Sequence, residues 1–253
     1  MELDGIAAIV TGGASGLGAA TAATLARGGA KVAILDLNEA EGEAHARSLG
    51  GTFVRVDVTD DASVESAVAS AETAHGIARV LVNCAGIAPA SRTVNRDGQP
   101  HALATFRKVV EVNLIGTFNV LSKVAARMTT ADKRGEERGV IVNTASVAAY
   151  DGQIGQAAYG ASKAGVAGLT LPVARDLAQS AIRVVTIAPG IFWTPMLAGM
   201  PQTVQDSLGA QVPFPSRLGR PEEYALLVAA IIANPMLNGE TIRLDGAIRM
   251  GPR

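Results

Sequence analysis

Tyr159 and Lys163 stand four residues apart, so on a helix they share one face, one turn from each other. A phenol of pKa about 10 is a poor base near neutral pH and must fall by roughly three units, about 4 kcal/mol, to act as one. An ammonium about 4 Å away at an effective dielectric near 20 supplies about that much. The spacing therefore suits proton transfer by Tyr159. Far upstream, Thr11-Gly12-Gly13-Ala14-Ser15-Gly16-Leu17-Gly18 follows an aliphatic run and opens a helical one. Gly12, Gly16 and Gly18 let the backbone turn tightly and approach a pyrophosphate at the positive end of a helix. Such a turn also suits an ordinary connection; the order strand, glycines, helix singles this one out. Asp36 ends the second aliphatic run, where a carboxylate can accept hydrogen bonds from an adenosine ribose and would repel a 2′-phosphate. Leu37-Asn38-Glu39 offers no Arg or Lys to hold that phosphate, which favours NAD over NADP. Proton transfer beside a dinucleotide turn predicts a nicotinamide-dependent dehydrogenase.

The elements that must position these groups alternate along the chain. Strands are expected at Ile6 to Thr11, Lys31 to Asp36, Thr52 to Val58, Arg79 to Asn83, Gly139 to Thr144, Ile182 to Ala188 and Thr241 to Asp245. Their continuous hydrophobicity, as in Val140-Ile141-Val142, suits strands buried on both faces, and so a parallel sheet. Ala- and Leu-rich helical segments lie between them: Gly16 to Arg27, Glu39 to Leu49, Asp61 to His75, Leu103 to Met128, Gln156 to Ala178 and Pro221 to Ala233. Pro221 needs no N–H at a first helical turn, and Glu222 and Glu223 complement its positive end. This alternation predicts right-handed βαβ units in an α/β, doubly wound, seven-stranded parallel sheet with helices on both faces. Polar excursions are expected at Ala88 to His101 and Thr129 to Arg138. The Pro-rich stretch 190–219, with Phe192, Trp193 and Met196, follows a strand's carboxyl end and is expected to form a partly helical substrate lid.

Composition bounds the rest. A chain of 253 residues that is 48% apolar can bury one sizeable core, so residues 1–253 are expected to form a single domain. Its cofactor part would run to about residue 120, with the catalytic and substrate part over 121–253. Lys plus Arg (22) nearly balances Asp plus Glu (23), which argues against nucleic acid and for a small-molecule substrate. Cys84 has no partner for an internal disulfide, and His45, His75 and His101 show no metal-ligand spacing, so no metal is expected. No uncharged stretch approaches membrane-spanning length, and a strand begins at Ile6, leaving no room for a signal peptide. A cytoplasmic chain with no membrane partner is expected.

These motifs, with Asp57-Val58, Asn83-Cys84-Ala85-Gly86, Asn113, Ser146 and Pro189-Gly190, make the chain similar to the short-chain dehydrogenase/reductases over essentially its whole length. Within that family, Gly152 to Tyr159, Gln211 to Gly219 and Ile242 to Met250 resemble the branch that acts on 3-hydroxyacyl-CoA thioesters and hydroxysteroids. The resemblance implies a Rossmann fold and an NAD-dependent interconversion of a secondary alcohol and a ketone. It implies catalytic roles for Asn113, Ser146, Tyr159 and Lys163: Tyr159 as acid/base, Ser146 orienting the substrate, Lys163 also on the nicotinamide ribose and Asn113 supporting a water. It further implies cofactor contacts at Gly12, Ser15, Gly16, Leu17, Gly18, Asp36, Asp57, Val58, Cys84, Gly86, Phe192 and Thr194, and a substrate-facing Gln153. A homotetramer follows from the same resemblance. Arg92 and His101 weigh as contacts to a CoA phosphate, against ordinary surface-loop charge. An NADPH-dependent 3-ketoacyl reductase and a non-catalytic NAD-binding scaffold remain as alternatives.

Overall fold

Aliphatic side chains occupy both faces of nearly every strand, and the sheet they build is covered on both sides. In the computed structural model, residues 1–199 and 201–252 are described; Met200, within the expected lid, and Arg253 lie outside the described residues. The strands are β1 (Ala7–Thr11), β2 (Lys31–Asp36), β3 (Thr52–Arg55), β4 (Ala78–Asn83), β5 (Gly139–Thr144), β6 (Ile182–Pro189) and β7 (Thr241–Leu244). They form one sheet in the order β3-β2-β1-β4-β5-β6-β7, with every neighbouring pair parallel. The helices are α1 (Gly16–Arg27), α2 (Glu39–Ser48), α3 (Asp61–His75), α4 (Leu103–Val110), α5 (Gly116–Thr129), α6 (Ala157–Leu177), α7 (Pro195–Ala198), α8 (Gln202–Ala210) and α9 (Pro221–Ala233).

Successive strand residues point to opposite faces, so each strand feeds two cores. Val10, Val32, Val80 and Ile187 pack with Leu25 of α1 and with Tyr224, Val228 and Ile231 of α9. Ile9, Leu35, Leu81 and Ile141 pack with Val64 of α3, Val120, Leu121 and Val124 of α5, and Ala174 of α6. Each fully buried aliphatic stabilises the fold by about 1.5–3 kcal/mol. An exposed pair such as Arg127–Glu72 contributes about 0–1 kcal/mol, so the two apolar layers dominate. A buried ion pair is built into the layers: Arg183 on β6 donates to Glu137 (2.7 Å) and to the carbonyls of Ile231 (2.9 Å) and Ile232 (3.1 Å), capping the end of α9.

Two expected elements change shape, each for a local reason. Strand β3 stops at Arg55 because Asp57 turns the chain, its carboxylate accepting from the Thr59 N–H and hydroxyl at 2.9 and 2.7 Å. The helix expected over Leu103 to Met128 is interrupted by a π-helical turn at Glu111–Ile115 centred on the buried Asn113. The whole run Leu103–Thr129 is long and apolar enough to cross a membrane by length and composition, which the sequence reading did not anticipate. Val109, Val120, Leu121, Val124 and Met128 of that run are buried in the protein.

The lid is partly helical, through α7 and α8, and its stems are tied together. Trp193 N–H donates to Gly219 O at 2.7 Å, and Gly219 N–H donates to Ile191 O at 2.9 Å. Just beyond, Arg217 grips Glu223 at 2.9 and 2.6 Å, and Glu223 accepts the Arg220 N–H at 2.7 Å, starting α9. The Arg217 guanidinium is the main reason that the Glu223 pKa falls from 4.5 to about 2. A carboxyl depressed in the folded state adds stability above its unfolded pKa and loses it as pH falls through the folded one. Glu223→Gln should therefore lower the melting temperature at pH 7 by about 2 °C. The gap to wild type should close between pH 4.5 and about 2 in thermal melts; a gap independent of pH would contradict this.

Candidate active site

The chain winds outward from β1 through β2 to β3, then returns to place β4 on the other side of β1. The connections that leave β1 and β4 therefore diverge above the sheet and open a crevice, the place where open α/β sheets hold ligands. Into it faces the turn of Gly12, with φ +64°, and Gly16, with φ +54°. A Cβ on Gly12 would meet Ala85 N at 2.7 Å, and one on Gly18 would meet Gly12 O at 2.1 Å. No side chain caps the start of α1, and its first turn carries no acidic residue, so its N–H groups remain available for an anion. Asp36 braces the turn, accepting from Ala14 N–H on one oxygen and Asn38 N–H on the other, both at 3.0 Å. Hydrogen bonding from Thr59 holds the Asp57 carboxyl below its ordinary pKa, so it stays an anionic acceptor.

One cavity of about 740 Å³ joins this turn to the other end of the crevice. Each residue expected at the cofactor lines it, as do Ser146 and Gln153. Asn113 is the exception among the expected residues: it lies behind the wall, fully buried. Its side chain accepts from Ile87 N–H (2.8 Å) and donates to Ile87 O (2.9 Å) and Ser162 Oγ (3.0 Å), pinning the connection after β4 to α6. Cys84 sits between Thr144 Oγ1 (3.5 Å) and the Tyr224 hydroxyl (3.8 Å), and burial pushes its thiol pKa up, which suits packing rather than attack.

Ser146 starts the short 3-10 turn Val147–Ala149, its Oγ accepting from Ala148 N–H at 3.1 Å. Tyr159 and Lys163 lie on the first turns of α6, with the Lys163 ammonium 5.9 Å from the centre of the phenol ring. Lys163 donates to Thr144 O at 2.7 Å, and burial lowers its pKa to about 8. It therefore remains mostly a cation at neutral pH. Burial raises the Tyr159 pKa, opposed by hydrogen bonding from Ser146.

A family model for short chain dehydrogenase matches residues 6–205. The chain belongs to the short-chain dehydrogenase/reductase family. It is 57% identical over 255 residues to the Homo sapiens protein named 3-hydroxyacyl-CoA dehydrogenase type-2, covering 99% of this chain and 98% of that protein. Its Drosophila melanogaster namesake is 53% identical over 248 residues, covering 96% and 97%. The crystal structure of 3-hydroxyacyl-CoA dehydrogenase type-2 from Mycobacterium avium matches with a TM-score of 0.95 at 45% identity, covering 98% of each chain.

Membership makes this dehydrogenase an oxidoreductase with a nicotinamide cofactor, and its crevice fits one. The glycine turn leaves room only for backbone, helix N–H groups face the anion position, and two carboxylates stand at the far end. Beyond the expected residues, Lys108, Gln156, Leu197, Leu208 and Met250 also line the cavity. Met250 was visible only as part of a family-like run, because its position depends on where the last residues fold back. Arg92 lines an adjoining depression of about 700 Å³ that shares Gln153 and Gln156 with the crevice, and His101 packs its ring edge-on against Phe106 at 6.2 Å. Gly18→Ala forces its methyl onto Gly12 O, a clash of the kind that costs about 1–3 kcal/mol. The variant should melt lower and bind NADH at least about tenfold more weakly in a fluorescence titration; unchanged binding would contradict the cradle.

Proposed function

We propose that this dehydrogenase uses NAD to interconvert an (S)-3-hydroxyacyl-CoA and its 3-ketoacyl-CoA. The observation that carries this reading is the convergence of Ser146, Tyr159 and Lys163 in one cavity with the glycine turn and Asp36. The printed activity of relatives at 57% and 53% identity over nearly the full length supports the substrate class. Support for NAD comes from Asp36, whose carboxylate sits where a 2′-phosphate would be repelled, with uncharged Leu37 beside it on the cavity wall.

In this mechanism the Tyr159 phenolate accepts the substrate hydroxyl proton, and in the reverse direction the phenol returns it. Ser146 donates to the substrate oxygen and stabilises the charge that develops there. Lys163 holds a buried positive charge behind Tyr159 and would hold the ribose hydroxyls of the cofactor, while Asn113 fixes the loop beside it. An oxidised nicotinamide, when bound, supplies the hydride acceptor and a further positive charge near the phenol. Leu197, Leu208 and Met250 give the substrate end an apolar lining suited to an acyl chain. A homotetramer belongs to the same reading, supported by the exposed Leu103, Ile115 and Phe118 along one helical run, and light scattering reads its mass.

Nicotinamide absorbance with acetoacetyl-CoA and NADH tests the assignment. Wild type should oxidise NADH, and Tyr159→Phe should reduce turnover by about 10²–10⁴-fold while still binding NADH. Turnover by Tyr159→Phe close to wild type would overturn the mechanism.

A further inference from the structure

Away from the glycine turn, a cluster of charges ties the end of the chain, from β7 onward, to the segment before α6, about 90 residues upstream in sequence. Arg243 on β7 grips Asp151 with both terminal nitrogens, Nη1 to Oδ1 at 3.1 Å and Nη2 to Oδ2 at 2.6 Å. Its Nε donates to Asp245 Oδ2 at 2.7 Å, Nη2 also donates to Ile248 O at 3.0 Å, and the guanidinium lies 5.6 Å from the centre of the Tyr150 ring. Asp151 in turn accepts the Met250 N–H at 3.3 Å. The side chains of Asp151 and Asp245 keep only 12% and 8% of their exposure, so the cluster is shielded from water.

Each part that Arg243 holds reaches the substrate end. Asp151 belongs to the segment before α6 that presents Gln153 and Gln156 to the cavity, and the terminal segment presents Met250. The two segments are joined again beyond the cluster, where Gln153 Nε2 donates to Gly251 O at 3.3 Å and Ile154 N–H donates to Pro252 O at 3.1 Å. The lid rests on the same corner: a Cβ on Gly190 would meet Asp245 Cα at 2.9 Å, and Phe214 N–H donates to Gly246 O at 3.2 Å. The dinucleotide end, by contrast, is built on β1, β2 and the turn after β3.

We infer that Arg243, through Asp151 and Asp245, is the positioning residue of the substrate wall, setting where Gln153, Gln156 and Met250 stand while leaving the dinucleotide end unaffected. This rests on the oxidoreductase reading of the crevice. A bidentate guanidinium–carboxylate pair fixes direction as well as distance, which a lysine at the same place cannot reproduce. Displacing a binding wall by about 1 Å can cost on the order of 10²-fold in rate, so the loss of this clasp registers in the use of substrate.

The test compares wild type, Arg243→Met, Arg243→Lys and Asp151→Asn with acetoacetyl-CoA and NADH, alongside NADH fluorescence titration and amide hydrogen exchange. Arg243→Met and Asp151→Asn should raise KM for acetoacetyl-CoA about 10- to 100-fold, with a smaller change in kcat. NADH affinity should stay within about twofold, and exchange should quicken in 150–156 and 246–252 but not around Gly12 to Gly18. Arg243→Lys should recover part of the KM. An unchanged KM in a folded variant, or a parallel loss of NADH affinity, overturns the inference. Absence of turnover by wild type would instead defeat the substrate assignment, and exchange would still decide: quickening confined to the two segments upholds the clasp, and none overturns it.

Discussion

The crevice above the divergence of β1 and β4 is the constraint on which the rest depends. Only a chain that leaves β1 in one direction and returns on its other side opens such a gap. The gap functions only if backbone, unencumbered by side chains, can line it. Gly12 lies against Ala85, and Gly18 against Gly12, at separations that exclude any Cβ. The two apolar layers hold the strand ends at that spacing, while the Thr11 hydroxyl stitches β1 to the connection after β4, accepting from Cys84 N–H at 3.2 Å and Ala85 N–H at 3.3 Å.

Electrostatics in the other half of the crevice reflect a balance between burial and a single well-placed acceptor. Lys163 is stripped of water, which lowers its pKa, yet the Thr144 carbonyl at 2.7 Å retains a good partner for the ammonium. Thr144 is itself fixed, its hydroxyl within 2.6 Å of Asn83 O and 2.7 Å of the Tyr224 hydroxyl. Strand ends, α6 and α9 thus meet at one residue behind Lys163. Tyr159 experiences the same burial, which raises its pKa, with hydrogen bonding from Ser146 opposing the shift.

Much of this architecture was legible in residue types. Strands such as Val140-Ile141-Val142 are apolar on both faces because both faces are buried, and Pro221 with Glu222 and Glu223 marks the start of α9 from local chemistry alone. The glycine turn and the Tyr159–Lys163 spacing were legible because each obeys a short-range geometric rule. What escaped depends on contacts between distant segments. The π-helical turn at Asn113 arises from bonds to Ile87 and Ser162, and Met250 reaches the cavity because Arg243 and Asp151 fold the last residues back.

On the proposed reading, the crevice takes a dinucleotide whose adenosine ribose meets Asp36. The most direct measurement is the equilibrium affinity of the wild-type protein for NADH and for NADPH, titrated by nicotinamide fluorescence under the same conditions. Repulsion between the Asp36 carboxylate and a 2′-phosphate, worth at least about 1.4 kcal/mol, predicts NADH binding at least about tenfold tighter. Equal affinities, or tighter binding of NADPH, would contradict the account.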